Sequence, residues 1–128
     1  MTTSPTRLWI GRTLSGLAIL FLAFDTIIKV LRLPIAVAGT TELGYPEHTV
    51  FVIGIIQLVC LVLYVIPRTS VLGAILFTGY LGGAVATHVR IENPLFTHVL
   101  FPIYVGILLW GGLYARDERL RALIPIRR

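Results

Sequence analysis

The chain has 128 residues, 56% of them hydrophobic and only 13% charged, with a formal net charge of +5. An average soluble domain is roughly 45–50% apolar, so this composition excludes a soluble catalytic module and makes the lipid bilayer the first partner. The arginines stand at the ends of apolar runs rather than on one polar surface, which argues against a nucleic-acid footprint.

Four apolar stretches, about Leu8 to Val30, Thr49 to Ile66, Val71 to Thr87 and Leu95 to Tyr114, match the roughly 17–25 residues of a spanning helix. None alternates apolar and polar residues as a membrane barrel requires, and each can satisfy its backbone hydrogen bonds as a helix. The expected fold is therefore all-α: an integral membrane four-helix bundle in one domain over residues 1–128. The first stretch follows Arg7 and Arg12 like a secretion signal, but it runs to Phe24 without a small-x-small cleavage pattern and is read as a retained span.

Along that first span, Gly11, Ser15, Ala18, Leu22, Asp25 and Lys29 recur at helical spacing, so the stripe that packs inward also carries two charges inward. A charge at the bilayer centre costs about 2.5–3.5 kcal/mol on insertion scales. Asp25 and Lys29 stand four residues apart with the acid first, the favourable order for a helical pair. Two readings follow: a self-neutralising pair with Lys29 reaching the headgroups, or an Asp25 held ionised by Lys29 as a proton acceptor or ligand anchor.

The connection Leu31 to His48 has room for a short interfacial element, with turns at Pro34 and at Gly44-Tyr45-Pro46. In the second span Gln57 aligns with Gly54, Leu61 and Tyr64, and a buried amide there needs a partner on another helix or a cavity floor. Cys60 is unpaired by count and reads as a small buried hydrophobe. Pro67-Arg68-Thr69-Ser70 reads as a tight hairpin in which Thr69 or Ser70 caps the third helix.

The third span holds Gly79, Gly82, Gly83 and Ala86, a small-residue pattern expected to bring backbones together. Tyr80 lies among them and can point at a cavity. His88 and His98 flank the turn Arg90-Ile91-Glu92-Asn93-Pro94, and Glu92, four beyond His88, is a candidate to orient it. No zinc-binding pattern joins these histidines to His48, so no metal is expected. Pro102, inside the fourth span, removes the hydrogen bond to the His98 carbonyl, which implies a kink or an acceptor lining a cavity. Beyond Tyr114 the segment Arg116 to Ile124 continues as a basic amphipathic end suited to a lipid surface.

With four spans, both termini and the Pro67–Ser70 turn share one side, which carries Arg7, Arg12, Arg68, Arg116, Arg119, Arg121, Arg127 and Arg128; Lys29, Arg32 and Arg90 fall on the other. Eight cations against three place both termini in the cytoplasm. Asp25, Lys29, His88 and His98 then gather at the outer end, while the inner half offers little polar beyond Tyr64 and small hydroxyls.

Gly79-Tyr80-Leu81-Gly82-Gly83-Ala84-Val85-Ala86-Thr87-His88-Val89-Arg90, then Asn93-Pro94-Leu95-Phe96-Thr97-His98 and Leu109-Trp110-Gly111-Gly112-Leu113-Tyr114, resemble the DoxX-like family of small bacterial membrane proteins. Phe24-Asp25 with Lys29, Leu43-Gly44-Tyr45-Pro46 and the run Leu61 to Gly73 carry the same resemblance, over nearly the whole chain. It implies four transmembrane helices in a bacterial inner membrane. Related proteins are similar to quinone-linked subunits of sulfur oxidation and to membrane partners of redox and thiol-stress enzymes, and an animal branch acts as a chaperone for ligand-gated channels.

The residues and the resemblance together give two expectations. One is a redox-accessory protein whose outward-facing cavity holds a quinone-like or lipid-like molecule through Asp25, Lys29, Gln57, Tyr80, His88 and His98. The other is an assembly factor or scaffold for another membrane protein. Four short spans also leave room for a homo-oligomer. No nucleophile–base pair or phosphate loop points to a reaction.

Overall fold

A computed structural model describes residues 4–124 and shows six α-helices among them, with no strand. Helix α1 covers Pro5–Val30, α2 Pro34–Glu42, α3 Thr49–Val65, α4 Ser70–Arg90, α5 Phe101–Arg116 and α6 Glu118–Leu123. A 3₁₀ turn at Pro67–Thr69 precedes α4, and a π turn at Leu95–Val99 precedes α5. Arg127 and Arg128 lie outside the described residues.

Helix α1 starts where Ser4 accepts a hydrogen bond from the Arg7 amide at 3.2 Å and Pro5 occupies the first turn, which lacks intrahelical partners for its N–H groups. Helices α1 and α4 end alike. The Leu33 amide reaches the Ile28 carbonyl and the Arg32 amide that of Lys29; Asn93 and Glu92 repeat the pattern onto His88 and Val89. This closing motif needs a left-handed residue at its turn. Here it is Arg32, with φ 56°, and Glu92, with φ 58°.

The four long helices form a ring in which α1 packs on α3 and α5, and α4 on α3 and α5, so chain neighbours are antiparallel. Pro5–Val30, Pro67–Arg90 and Leu95–Arg116 are long and apolar enough to cross a membrane, and α3 is a shorter apolar helix of 17 residues. By helix length and hydropathy this is a multi-pass membrane protein. The distribution of side chains agrees: Leu20 is 72% exposed and Ile107 62%, while Ser15 and Gln57 are buried. Large apolar groups face outward because lipid, unlike water, imposes no cost on them.

The interior between the two ends is a cluster including Ala18, Leu22, Leu61, Phe77, Leu81 and Leu109. Backbones approach closely at Gly11 and Gly112, where α1 crosses α5, at Gly54 against Lys29 and Val30, and at Gly73 against Leu63 and Tyr64. Gly79, Gly82 and Gly83, expected to make such contacts, have nothing within 4 Å of the position a Cβ would take. They face away from the bundle's tight crossings.

Three further expectations are corrected. Thr69 and Ser70 do not cap α4 with their side chains; Thr69 Oγ1 donates to the Leu63 carbonyl at 2.7 Å and Ser70 Oγ to that of Tyr64 at 2.6 Å. They close the C-terminus of α3, whose last carbonyls lack helical partners. Pro102 sits in the first turn of α5, not in the interior of a longer helix, so it removes no needed donor. The C-terminal segment breaks at Asp117, whose carboxylate accepts from the amides of Arg119 and Leu120. Leu120 is buried while Leu123 and Ile124 are exposed.

The glycines can be separated by experiment. Gly73→Ala must displace the Tyr64 backbone and should cost about 1–3 kcal/mol, the range for overpacking. Gly79→Ala meets open space inside a helix and should stabilise by about 0.5–1 kcal/mol, the difference in helix propensity. Unfolding of both variants in mixed micelles measures the difference.

Candidate functional site

At the end of the bundle away from the described N-terminus, Lys29 binds Asp25 Oδ2 at 2.6 Å, one helical turn back. Its Nζ also donates to Gln57 Oε1 on α3 at 3.0 Å and to the Tyr80 hydroxyl on α4 at 3.0 Å. Tyr80 in turn donates to Gln57 Oε1 at 2.9 Å. An ammonium has three donors and no acceptor, so Lys29 is saturated by three partners from three helices. Gln57, fully buried, turns its amide nitrogen to the Leu22 carbonyl at 3.4 Å. Asp25 points at Lys29 and not at His88, and Lys29 stays inside the bundle with a 19% exposed side chain.

The sequence places Gly54 where this network needs it. A Cβ there would press on Lys29 Cβ and the Val30 amide, so glycine lets α1 and α3 close around the ammonium.

Asp25, Lys29, Gln57, Tyr80 and His88 all line one cavity of about 380 Å³, whose remaining wall includes Leu22, Ile56, Leu81, Phe101 and Val105. A second cavity of about 440 Å³ adjoins it, sharing Asp25, Lys29, Thr40, Leu43 and His88, and adds Asn93 and His98. The six residues singled out from the sequence therefore gather around two adjacent cavities. The rings of His88 and His98 meet edge to face with centroids 5.8 Å apart.

Glu92 does not orient His88. Its left-handed backbone ends α4 and swings the following residue back, so that Asn93 Nδ2 donates to His88 Nδ1 at 2.7 Å. An imidazole that accepts at Nδ1 carries its proton at Nε2 when neutral. His98 Nδ1 is bonded to the Thr97 hydroxyl at 2.8 Å, again leaving Nε2 free of that contact.

The connection between α1 and α3 roofs the cavity. The Arg90 guanidinium donates to the Leu43 carbonyl and lies beside Gly44, whose φ of +91° suits glycine. Thr87 Oγ1 gives its proton to the Gly83 carbonyl at 2.8 Å, so the Tyr45 hydroxyl is the donor in their 2.7 Å bond. Thr40, Tyr45, Thr87 and Asn93 were not singled out from the sequence. Of these, Tyr45 in the Gly44-Tyr45-Pro46 turn and Asn93 in the Arg90-Ile91-Glu92-Asn93-Pro94 turn carried a local signal.

The opposite end holds a second polar node that the sequence did not reveal. The Tyr64 hydroxyl donates to the Leu109 carbonyl at 2.6 Å and lies 2.8 Å from Ser15 Oγ. Arg116 Nη2 donates to the same serine at 3.1 Å. This node joins α1, α3 and α5 but lines neither polar cavity.

A bundle of apolar helices with a charged pair inside it defines a multi-pass membrane protein with an internal polar site. Residues 13–112 match the DoxX-like family, and the chain belongs to it. No curated protein and no solved structure matches the chain.

The ion pair should behave as a coupled unit. Lys29→Met leaves a carboxylate without its counter-charge and should destabilise the fold more than the double variant Asp25→Asn/Lys29→Met. A double-mutant cycle in detergent should return a coupling of roughly 1–3 kcal/mol, within the range for contacting residues in one network.

Proposed function

We propose that this protein binds the polar head of a small lipophilic molecule, quinone-like or lipid-like, in the cavity beside Asp25, as an accessory subunit to membrane redox chemistry. The supporting observation is the cavity of about 380 Å³ in which an ion pair, an amide, a phenol and an imidazole meet an otherwise hydrocarbon wall. Ionisable groups within membrane spans are costly and mark ligand or proton paths. Pockets that hold small molecules are mostly apolar with a few convergent polar groups.

The hydrogen bonding narrows the ligand's chemistry. Lys29 is fully engaged, so it holds Asp25 in place rather than contacting ligand. Among the described residues Asp25 has Lys29 as its polar partner, through Oδ2. Its other oxygen is an acceptor for a ligand hydroxyl, and the His88 Nε2–H is a donor for a ligand oxygen. A hydroquinone, or another hydroxyl-bearing head, meets both. The quinone assignment is carried by the family's relation to quinone-linked proteins and by this polarity.

A charge-assisted hydrogen bond contributes roughly 1.5–3 kcal/mol, so Asp25→Asn should weaken binding of a tailless benzohydroquinone about tenfold or more while circular dichroism shows the bundle intact. Equal thermal stabilisation of parent and variant by that probe rules the assignment out. The cavity's outward orientation, with both termini cytoplasmic, rests on the cation asymmetry. In a Cys60→Ala background, a membrane-impermeant maleimide should label Glu47→Cys and spare Arg68→Cys in intact cells; the reverse pattern inverts the topology.

One observation favours the second reading, an assembly factor or scaffold: Gly79 and Gly82 leave an open, small-residue face on α4, with Gly82 in the outer groove. Such faces let a neighbouring helix approach closely. Native mass spectrometry of gently extracted protein separates the readings, a bound small molecule supporting the first and a stoichiometric membrane protein the second.

A further inference from the structure

Beside the polar cavity, on the outer side of α4 and α5, runs a groove of about 340 Å³ lined by Phe77, Leu81, Gly82, Pro102, Gly106 and Trp110 among others. Leu81 and Pro102 line both spaces, so these two residues build the partition between groove and cavity. The groove runs along α4 from Ala74 to Val85, roughly 16 Å at about 1.5 Å per residue. Ile103 and Ile107 on its edge are 43% and 62% exposed, which puts it on the lipid-facing surface.

Its few polar groups satisfy one another. Trp110 Nε1 donates to Thr78 Oγ1 at 2.8 Å, and that hydroxyl donates to the Ala74 carbonyl at 2.8 Å. A groove with its hydrogen bonds closed internally offers hydrocarbon to its occupant. The cavity behind Leu81 has the opposite character, with Asp25 able to accept. Two other sides of the cavity are covered: Phe21 and Phe101 meet edge to face at 5.3 Å between α1 and α5, and the Tyr45–Thr87 bond holds the roof to α4.

We propose that the groove is the tail site of the same ligand, so that the molecule bound is an amphiphile entering laterally from the bilayer between α4 and α5. Its hydroxyl-bearing head rests at Asp25 and its single apolar tail lies along Gly82 and Gly106 toward Trp110. This rests on the reading of the cavity as a head-group site and adds the class of ligand and its route. Glycine has a specific use here. Nothing lies within 4 Å of a Cβ at Gly82, and one at Gly106 would reach Leu81 Cδ1 at 3.7 Å, so side chains at these positions would narrow the channel without moving backbone.

Trp110 and Trp9 are the chain's two tryptophans, and Trp9 lies on α1 away from the groove. The test uses Trp9→Phe protein in nanodiscs, a benzohydroquinone with a brominated isoprenoid tail, its unbrominated twin and the tailless head. The brominated tail should quench Trp110 saturably, over the concentrations at which the probe raises Tm, and several-fold more than brominated phospholipid at equal mole fraction. Gly82→Leu should abolish the saturable quenching while the tailless head still raises Tm. If both probes stabilise but quenching stays unsaturable, or survives Gly82→Leu, the tail site is refuted and the head site stands. If neither probe stabilises the parent protein, the head site is refuted and the tail site with it.

Discussion

The ammonium of Lys29 organises the far end of the bundle because its three donors all find acceptors on protein. Groups on α1, α3 and α4 supply them. Asp25 comes from the same helix, Gln57 from the second long helix and Tyr80 from the third. Moving any of those helices by a fraction of a turn would strand a charge. In lipid, apolar side chains gain little from meeting one another, so a polar node of this kind specifies geometry that Leu22, Phe77 and Leu81 alone would leave loose. The Ser15–Tyr64–Arg116 node does the same at the other end and brings in α5. At both nodes, glycines at the crossings let the backbones touch.

The saturation of Lys29 also divides labour within the site. A charged residue inside a membrane protein is usually the first candidate for direct ligand contact, yet here its donors are all engaged by protein. The group with capacity left is Asp25, and the lysine keeps that carboxylate aimed. Asn93 does for His88 what Lys29 does for Asp25: by occupying Nδ1 it leaves the Nε2 proton as the imidazole's available donor. The pair is complementary, one acceptor and one donor on the walls of one cavity.

The spans and their contents were legible because the signals are local. Twenty-residue apolar runs and the spacing of Gly11, Ser15, Ala18, Leu22 and Asp25 depend on one helix at a time, and the inward stripe they imply matches the buried face of α1 as far as Leu22, beyond which Thr26 is buried and Asp25 half-buried. Gln57 was legible as an amide in need of a partner, though not which partner. What escaped notice depends on where helices cross. Arg116 looked like a topology marker because nothing in its neighbourhood along the chain points to Ser15. The third span's glycines looked like packing residues because spacing reveals a small face without revealing what it meets. Glu92 looked like the partner of His88 because a continuing helix would place it there; a left-handed residue at that very position ends the helix and substitutes Asn93.

The glycines of α4 then require a reason of their own. Glycine in a helix interior is less favourable than alanine by roughly 0.5–1 kcal/mol, and at Gly73 the close approach to Tyr64 offsets that cost. At Gly82 and Gly83 no contact does. These two line the groove and the polar cavity respectively. What the missing side chains supply at those positions is volume, on the lipid side of Leu81 at one residue and on the cavity side at the next. Consecutive residues of a helix point about 100° apart, so two adjacent glycines open two neighbouring sectors of one helix at the same depth. A lone glycine would widen the groove or the cavity; the pair widens both where they adjoin.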